Sequence, residues 1–141
     1  MKQELEEKLF QQFPWLEARN VWSGEKLGCC IGMDCEDGWH QLIYDLCKGI
    51  DKVLKNCTPE FLKGFYVQQV KEKYATLRFY TSYVNKEIYD LIAETENKSS
   101  EICEICGDTG KICVRNLWYK TLCDKCMNKH SYISCKNKEE I

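Results

Sequence analysis

Two matched pairs of cysteines near the end of the chain have the spacing of metal ligands. Cys103 and Cys106 are two residues apart, 16 residues follow, and Cys123 and Cys126 repeat the same spacing. Four thiolates presented in pairs by two short loops are the ligand set of a tetrahedral zinc site. Because four cysteines leave no coordination position for water, the pattern predicts one structural Zn²⁺ and not a catalytic one.

The residues around the two cysteine pairs predict the local fold of this site. Gly107, directly after the second cysteine, permits the left-handed turn of a zinc knuckle. Residues 111–115 and 117–121 read as a hairpin between the pairs, and a helix is expected from Cys123 to about His130. The order of knuckle, hairpin and helix predicts a treble-clef-like zinc finger with four cysteine ligands.

The interpretation of this cysteine-rich segment leaves alternatives open. The four ligands could instead be buried free thiols, but an odd total of 11 cysteines without a secretory signal favours intracellular metal ligation. Cys113 is interpreted as a small apolar side chain. His130 could replace one cysteine as a ligand, although a surface histidine on a short helix is the commoner outcome.

A second cysteine cluster has a spacing that matches no standard zinc pattern. It consists of Cys29, Cys30 and Cys35. A fourth ligand would have to come from Cys47, Cys57 or His40. Whether this cluster binds a second metal or consists of buried thiols is left open.

The stretch QVKEKYATLRFYTS, residues 69–82, predicts two β-strands joined by a tight turn at Ala75-Thr76. Because side chains alternate along a strand, an even-length turn places the apolar residues and Tyr74 on the core side, with Glu72 as the charged exception. The opposite side collects polar residues, with Lys73 facing Arg78. These residues are Gln69, Lys71, Lys73, Arg78, Tyr80 and Ser82.

The polar side of this hairpin has the residue types of a ligand site. An arginine fork binds phosphate or carboxylate, and a tyrosine ring offers a flat surface for stacking. Like charges facing each other are destabilising unless an anion lies between them. Gln69, Lys71, Lys73, Arg78 and Tyr80 are therefore the predicted site for a small anionic, nucleotide-like ligand. Two alternatives remain: an ordinary solvated sheet face, and pairing of a cation with Glu72.

The elements that must position these sites are helices on either side of the hairpin. Apolar residues predict a helix over 3–13 that ends at Pro14, a central helix over about 38–55 capped by Asp37, and a helix from Asn85 towards Ser99. Thr58-Pro59 predicts a single helical turn before the first hairpin strand, which begins near Phe65.

Two further stretches lack a regular pattern. Residues 15–38 read as a loop with one short strand, and the polar tail after Cys126, ending KNKEEI, is expected to be frayed. The predicted fold is α+β: a small antiparallel sheet packed by two to three helices, with the zinc finger at the C terminus. We expect a core domain at 1–100, with the finger and tail at 101–141 packed on it.

The composition excludes several classes of protein. No apolar run approaches the roughly 20 residues that span a bilayer, and the start lacks a signal peptide's apolar stretch. We therefore expect a cytoplasmic protein without a membrane partner. The formal net charge of −2 means that any phosphate recognition must be local, which makes non-specific nucleic-acid binding a less favoured function.

Four motifs stand in fixed order along the chain: CEDGWHQLIYDLC, QVKEKYATLRFY, AETENKSSEICEICG and WYKTLCDKC. Together they resemble a family of small uncharacterised proteins of bacteriophage and bacterial genomes, and the resemblance covers residues 30–126. In two departures, Ala75 stands where such proteins usually carry glycine, and Cys126 where many carry histidine. The resemblance implies a phage-type context, with the host cytoplasm as the compartment, but no activity.

The finger by itself is similar to that of the DksA/TraR transcription regulators. Their cysteine pairs have nearly the spacing found at 103–126. Those regulators enter RNA polymerase with a long coiled coil, and no such coil precedes the finger in this sequence. The similarity therefore implies a zinc finger and not that mode of action.

The sequence favours a binding protein over an enzyme. A cysteine–histidine pair at His40 is the strongest catalytic candidate, but a histidine at a helix start without a catalytic role is the preferred interpretation, and no phosphate loop is found. Small phage proteins of this kind often bind host components, including the nucleotide signals of antiviral defence.

Two other kinds of partner, and a homo-oligomer, are left open. A host protein would use an exposed aromatic patch from Trp15, Trp22 and Trp118. Nucleic acid would be contacted by basic residues of the finger. These are Lys111, Arg115, Lys120 and Lys125.

Overall fold

The computed structural model of the protein describes residues 1–135, which form five α-helices and eight short β-strands. The helices are α1 Gln3–Gln12, α2 His40–Leu54, α3 Pro59–Gly64, α4 Lys86–Ser99 and α5 Asp124–Lys129. The strands are β1 Glu17–Arg19, β2 Lys26–Cys30, β3 Met33–Asp34, β4 Val67–Lys73, β5 Thr76–Thr81, β6 Lys111–Arg115, β7 Trp118–Leu122 and β8 Ile133–Ser134. This confirms the α+β class.

A three-stranded sheet in the order β3-β4-β5 lies at the centre of the first 100 residues. Strand β3 is parallel to β4, and β4 is antiparallel to β5. Helices α2 and α4 pack against each other, and α4 lies against β5. The apolar face of this sheet and the helices bury one cluster of side chains, in which the largest fully buried members include Trp39, Phe13, Ile43, Ile50 and Leu77.

Three helices begin and end close to where the residue pattern predicts. Thr58 accepts a hydrogen bond from the N–H of Phe61, and Asn85 accepts one from the N–H of Ile88, so both side chains cap their helices as expected. The cap of α2 differs. A 3₁₀ turn, Asp37–Trp39, precedes this helix, and Asp37 Oδ1 instead accepts the backbone N–H of Lys2 at 2.8 Å.

The segment 15–38 contains three strands and not the single strand that was expected. Strands β1 and β2 form a small antiparallel ribbon, and β3 joins the central sheet. These strands are two to five residues long, and β2 is almost entirely exposed. Strands this short carry too little alternation to be recognised from their residues.

The central hairpin turns one residue earlier than predicted. The two turn residues are Tyr74 and Ala75, with φ of 51° and 69°, and Lys71 therefore lies opposite Arg78 while Lys73 lies opposite Thr76. Tyr74 projects from the turn and is exposed, so its prediction as a core residue was wrong. The turn still has two residues, so the assignment of the cations to one face is unchanged.

Tertiary contacts explain the position of this turn. Glu72 Oε1 accepts the N–H of Ala75 at 2.9 Å, and the carbonyl oxygen of Ala75 accepts the hydroxyl of Thr121 at 2.7 Å. Ala75 is fully buried, so a small side chain suits a position that a finger residue contacts. Glu72 therefore binds the turn. Within residues 1–135 it does not form an ion pair with a cation of the polar face, which was the alternative.

Helix α4 covers the outer edge of the sheet. The N–H of Leu77 donates to Ser99 Oγ at 2.9 Å, and the N–H of Phe79 donates to Glu96 at 3.2 Å. These side chains satisfy backbone groups of β5 that would otherwise be left at an edge. The hairpin is consequently held on its α4 side by hydrogen bonds as well as by apolar packing.

The second sheet, in the order β7-β6-β8, belongs to the cysteine-rich segment. A separate cluster of buried side chains, which includes Cys103, Cys113, Leu122 and Tyr132, lies against it. Helix α5 runs to Lys129, close to the predicted end near His130, and β8 pairs with β6, so the expectation of a frayed tail after Cys126 was wrong for these residues. The final residues 136–141, where KNKEEI was also expected to be frayed, lie outside the described residues.

The tip of the β6–β7 hairpin is a strained turn. Asn116 and Leu117 have φ of 49° and 65°, and Leu117 is 84% exposed. A branched side chain at positive φ costs about 1–2 kcal/mol, while glycine loses about 0.5–1 kcal/mol in chain entropy. Leu117→Gly is therefore expected to raise the free energy of unfolding by about 0.5–1 kcal/mol, as measured by urea denaturation with zinc present.

Asn116→Gly is the matched control for this substitution, because asparagine already tolerates positive φ and little should change. A Leu117→Gly protein that is less stable than the parent would show that the Leu117 side chain stabilises the folded state.

Candidate metal centre and ligand surface

The four predicted metal ligands come together in the structure. The sulfur atoms of Cys103, Cys106, Cys123 and Cys126 all lie within 4.8 Å of one another, and Cys106 Sγ and Cys123 Sγ are 3.5 Å apart. Tetrahedral coordination with Zn–S bonds of about 2.3 Å requires sulfur atoms about 3.8 Å apart. The chain thus has a cluster of four cysteines that could bind one metal ion.

Local backbone geometry presents the first pair of sulfur atoms. The N–H of Gly107 donates to the carbonyl of Cys103 at 2.9 Å, and Gly107 has φ of 86°, as predicted for a knuckle. A Cβ atom at Gly107 would also lie 3.2 Å from the carbonyl oxygen of Gly38. Glycine is therefore required here for conformation and favoured for space.

The second pair lies at the start of α5. Cys123 is the N-cap of this helix, and its sulfur accepts the N–H of Cys126 at 3.4 Å. That hydrogen bond lowers the pKa of the Cys123 thiol to about 7, whereas burial raises the pKa of Cys126. Four adjacent thiolates repel one another, so a cation is needed to hold all four deprotonated, which fits a metal site.

The other candidate ligands do not join this cluster. His130 lies beyond α5, where its carbonyl accepts a hydrogen bond from Arg115 at 2.7 Å. Cys113 is buried in β6, with its sulfur 3.3 Å from the carbonyl of Lys111, which agrees with an apolar packing role. In residues 1–135, Cys29, Cys30 and Cys35 form no second group of three potential ligands.

The four-cysteine cluster is attached to the core through Glu104, which is 1% exposed. Its Oε1 atom accepts Lys120 Nζ at 3.0 Å, and its Oε2 atom accepts the N–H of Glu36 at 3.0 Å. Burial raises the pKa of Glu104, although Lys120 opposes the rise. The carboxylate is thus a buried charge that depends on its partners.

Backbone contacts continue this attachment. The N–H of Gly38 donates to the carbonyl of Glu104 at 2.7 Å, and the indole N–H of Trp39 donates to the carbonyl of Ile102 at 2.9 Å. A Cβ atom on Gly38 would lie 2.3 Å from the carbonyl oxygen of Cys103. The segment that leads into α2 therefore lies directly against the first cysteine loop.

The predicted ligand residues share one face of the central hairpin, which we call the cation face. Its members are Gln69, Lys71, Lys73, Arg78 and Tyr80. Lys71 and Arg78 are directly opposite each other and half-buried, and the other three are exposed. Asp34 of β3 is the neighbour of Lys71 on the outer side, so the row across the sheet carries one carboxylate and two cations.

A cleft of about 380 Å³ lies at one end of the cation face, between the tips of the two hairpins. We call it the tip cleft; its lining residues are Lys71, Glu72, Lys73, Tyr74, Leu117, Trp118 and Tyr119. Only two of the five predicted ligand residues, Lys71 and Lys73, line it. The residues of the finger that complete the cleft were not anticipated, because their position depends on how the finger docks.

A larger cleft of about 580 Å³ lies between α2, α4 and the first cysteine loop. His40 lines it, together with Asp37, Asp45, Glu94 and Cys106. Burial lowers the pKa of His40, and in the described residues its Nε2 atom is the one buried side-chain nitrogen or oxygen without a hydrogen-bond partner. The catalytic candidate from the sequence thus lies in a cleft.

Most of the finger's basic residues already have partners. Lys111 pairs with Asp124 at 2.7 Å, Lys120 pairs with Glu104, and Arg115 donates to the His130 carbonyl and lies 4.5 Å from the centre of the Tyr132 ring. A nucleic-acid backbone would have to compete with these contacts, which lowers the support for a nucleic-acid surface on the finger.

The three tryptophans of the predicted aromatic patch do not share one environment. Trp22 is 93% exposed, and Trp118 is 60% exposed. Trp15 is half-buried against the core, its ring lies 5.8 Å from that of Phe13, and its indole N–H donates to Asp51. The prediction of Trp15 as an exposed docking residue was wrong.

Comparisons of the chain with protein-family models, curated proteins and solved structures give no match. Across residues 1–135, no helix combines the length and the apolar character needed to cross a membrane.

Proposed function

We propose that this protein is a zinc-stabilised, non-enzymatic binding protein that captures a small anionic, nucleotide-like ligand on the cation face. In the phage-type context implied by the sequence resemblance, a nucleotide signal of host defence is a fitting ligand. The observation that carries the proposal is the register of β4 and β5, which holds the half-buried side chains of Lys71 and Arg78 opposite each other on one face.

The energetic argument concerns the repulsion between these two cations. Like charges directly opposite in a sheet destabilise it. The nearby carboxylates, Asp34 beyond Lys71 and Glu96 beside β5, lie beyond ion-pair distance of both cations in the described residues. Arg78 opposes the rise that burial causes in the pKa of Glu96, so this carboxylate offsets the repulsion in part. A bound phosphate would accept hydrogen bonds from both cations and remove the repulsion.

The metal's proposed role is structural. Four thiolates suit Zn²⁺ and leave no position for water, and the order of cysteine knuckle, hairpin β6–β7 and helix α5 supports a treble-clef assignment. We assign no reaction to this centre. The domain division at residue 100 is supported by the two separate clusters of buried side chains.

Isothermal titration tests the ligand proposal. At least one of 3′,5′-cyclic AMP, cyclic di-AMP and ADP-ribose is expected to bind the zinc-loaded protein. Arg78→Ala should weaken that binding about 10- to 100-fold, because a charge-assisted hydrogen bond contributes about 1.5–3 kcal/mol.

The matched control is Lys52→Ala, which removes an exposed cation of α2 away from the cation face and should leave the affinity unchanged. No heat of binding from any nucleotide in this panel, or an equal loss in both variants, would contradict the proposal.

A host protein remains the second candidate partner, and the exposure of Trp22 favours it. Val21 and Trp22 project from the β1–β2 connection and are 88% and 93% exposed. Exposed aromatic residues are common anchors of protein interfaces. If this surface binds a partner, one stoichiometric protein should be recovered from host lysate by the parent protein and lost with Trp22→Ala.

A further inference from the structure

We infer that the tip cleft receives the base of the nucleotide, with Trp118 of the finger as the stacking surface and Lys71 and Lys73 as the phosphate contacts. This inference rests on the proposed function and extends it. The sequence pattern assigned stacking to Tyr80, which does not line the cleft, whereas Trp118 and Tyr119 do. The cleft volume of about 380 Å³ lies within the usual range of about 300–1,000 Å³ for ligand pockets.

The two walls of the cleft are held at a defined separation. The Thr121 hydroxyl donates to the carbonyl of Ala75 at 2.7 Å in a buried position, which joins β7 to the turn of the central hairpin. The backbone N–H of Glu104 donates to the carbonyl of Thr121 at 2.9 Å, so the first cysteine loop also holds strand β7 in place. A site between two elements needs this kind of support to be formed before the ligand arrives.

Large side chains at the tips of both hairpins are unfavourable for two reasons. Tyr74 and Leu117 occupy the left-handed region, and they are 73% and 84% exposed, so neither conformation nor burial favours large side chains there. Glycine or asparagine would fit both turns with less strain. Backbone strain of this kind concentrates at ligand sites, and both side chains line the cleft.

The charges of the cleft match an anionic aromatic ligand. Lys71 and Lys73 are available for phosphate, and Lys73 Nζ lies 5.9 Å from the centre of the Tyr74 ring. The one carboxylate in the lining, Glu72, already accepts the N–H of Ala75. Cations beside exposed aromatic rings bind single-stranded nucleic acids through phosphate contact and base stacking, and a nucleotide offers the same two groups.

The aromatic wall belongs to the zinc-dependent part of the chain, whereas the cations belong to the core. Base recognition should therefore require the metal, and phosphate contact on the cation face should not. This difference separates the present inference from the general proposal of anion capture.

The test compares probes with and without a base. Cyclic di-AMP, ADP-ribose and 5′-AMP are titrated into the zinc-loaded protein, and ribose 5-phosphate serves as the probe that lacks a base. Trp118→Ala is expected to weaken the binding of base-containing probes about 5- to 100-fold, which is the usual cost of losing one stacking partner. Trp118→Phe should restore most of the affinity. Tyr89→Ala removes another exposed aromatic ring, on α4 and outside the cleft, and is the matched control.

Each outcome of this experiment has a definite meaning. If Trp118→Ala selectively loses the binding of base-containing probes and Tyr89→Ala does not, the inference is supported. If only Lys71→Ala and Arg78→Ala weaken the binding of the probes, and Trp118→Ala changes the affinity less than twofold, the inference is overturned and the proposed function stands. The same holds if ribose 5-phosphate binds as tightly as 5′-AMP. If neither these probes nor 3′,5′-cyclic AMP binds, both proposals fail.

Discussion

Cys103→Ser is expected to release the metal and unfold the finger. Cys103 is fully buried, and its sulfur is one of four that lie within 4.8 Å of one another. Structural zinc contributes about 10–16 kcal/mol of binding free energy in zinc-finger peptides, as much as the whole folding free energy of a typical domain, about 5–15 kcal/mol. The small cluster of buried residues around Cys113 and Leu122 cannot replace that contribution.

Two measurements follow this change. The zinc content should fall from one ion per chain to none. Amide hydrogen exchange of β6 and β7 should become fast, whereas α2 should keep slow exchange because it packs in a separate apolar core. The matched control is Cys113→Ala, which changes an equally buried cysteine of β6 that lies outside the group of four sulfur atoms. Retention of one zinc by Cys103→Ser, or loss of zinc from Cys113→Ala, would contradict the assigned ligand set.

Glu104→Ala is expected to cost about 3–5 kcal/mol of folding free energy without removing a metal ligand. The substitution leaves Lys120, which is 20% exposed, without its partner and deprives the N–H of Glu36 of its acceptor. Breaking one half of a buried ion pair typically costs this much, because the remaining charge stays buried. Urea denaturation in the presence of zinc measures the change.

Glu94→Ala is the control for Glu104→Ala. Glu94 forms an ion pair with Lys98 on the surface of α4, with side chains that are 65% and 59% exposed, so its loss should change stability by less than about 0.5 kcal/mol. A Glu104→Ala protein as stable as the Glu94→Ala protein would show that the finger does not depend on the buried pair for its attachment to the core.

Local rules predicted the parts of the molecule that depend on neighbouring residues. The cap at Thr58, the cap at Asn85 and the grouping of four cysteines follow from spacing alone. The common face of Lys71 and Arg78 also follows from alternation, since any even-length turn preserves it.

The parts that were missed depend on contacts between distant residues. The hairpin turn contains no glycine, and its position is set by Glu72 and by the contact between Ala75 and Thr121, which are 46 residues apart. The sequence suggests an exposed acidic residue at Glu104, between two cysteines, whereas in the folded protein this side chain is buried beside Lys120. Trp118 became part of the tip cleft only because the finger docks on the core, which no local pattern specifies.

X-ray absorption at the zinc edge of the purified protein tests the central claim most directly, because the proposed zinc-dependent fold of the finger also sets the proposed position of Trp118. The proposed site predicts one zinc per chain with four sulfur neighbours at about 2.3 Å and no oxygen or nitrogen neighbour. A coordination shell with a nitrogen or oxygen ligand, or a fully folded protein that contains no metal, would contradict it.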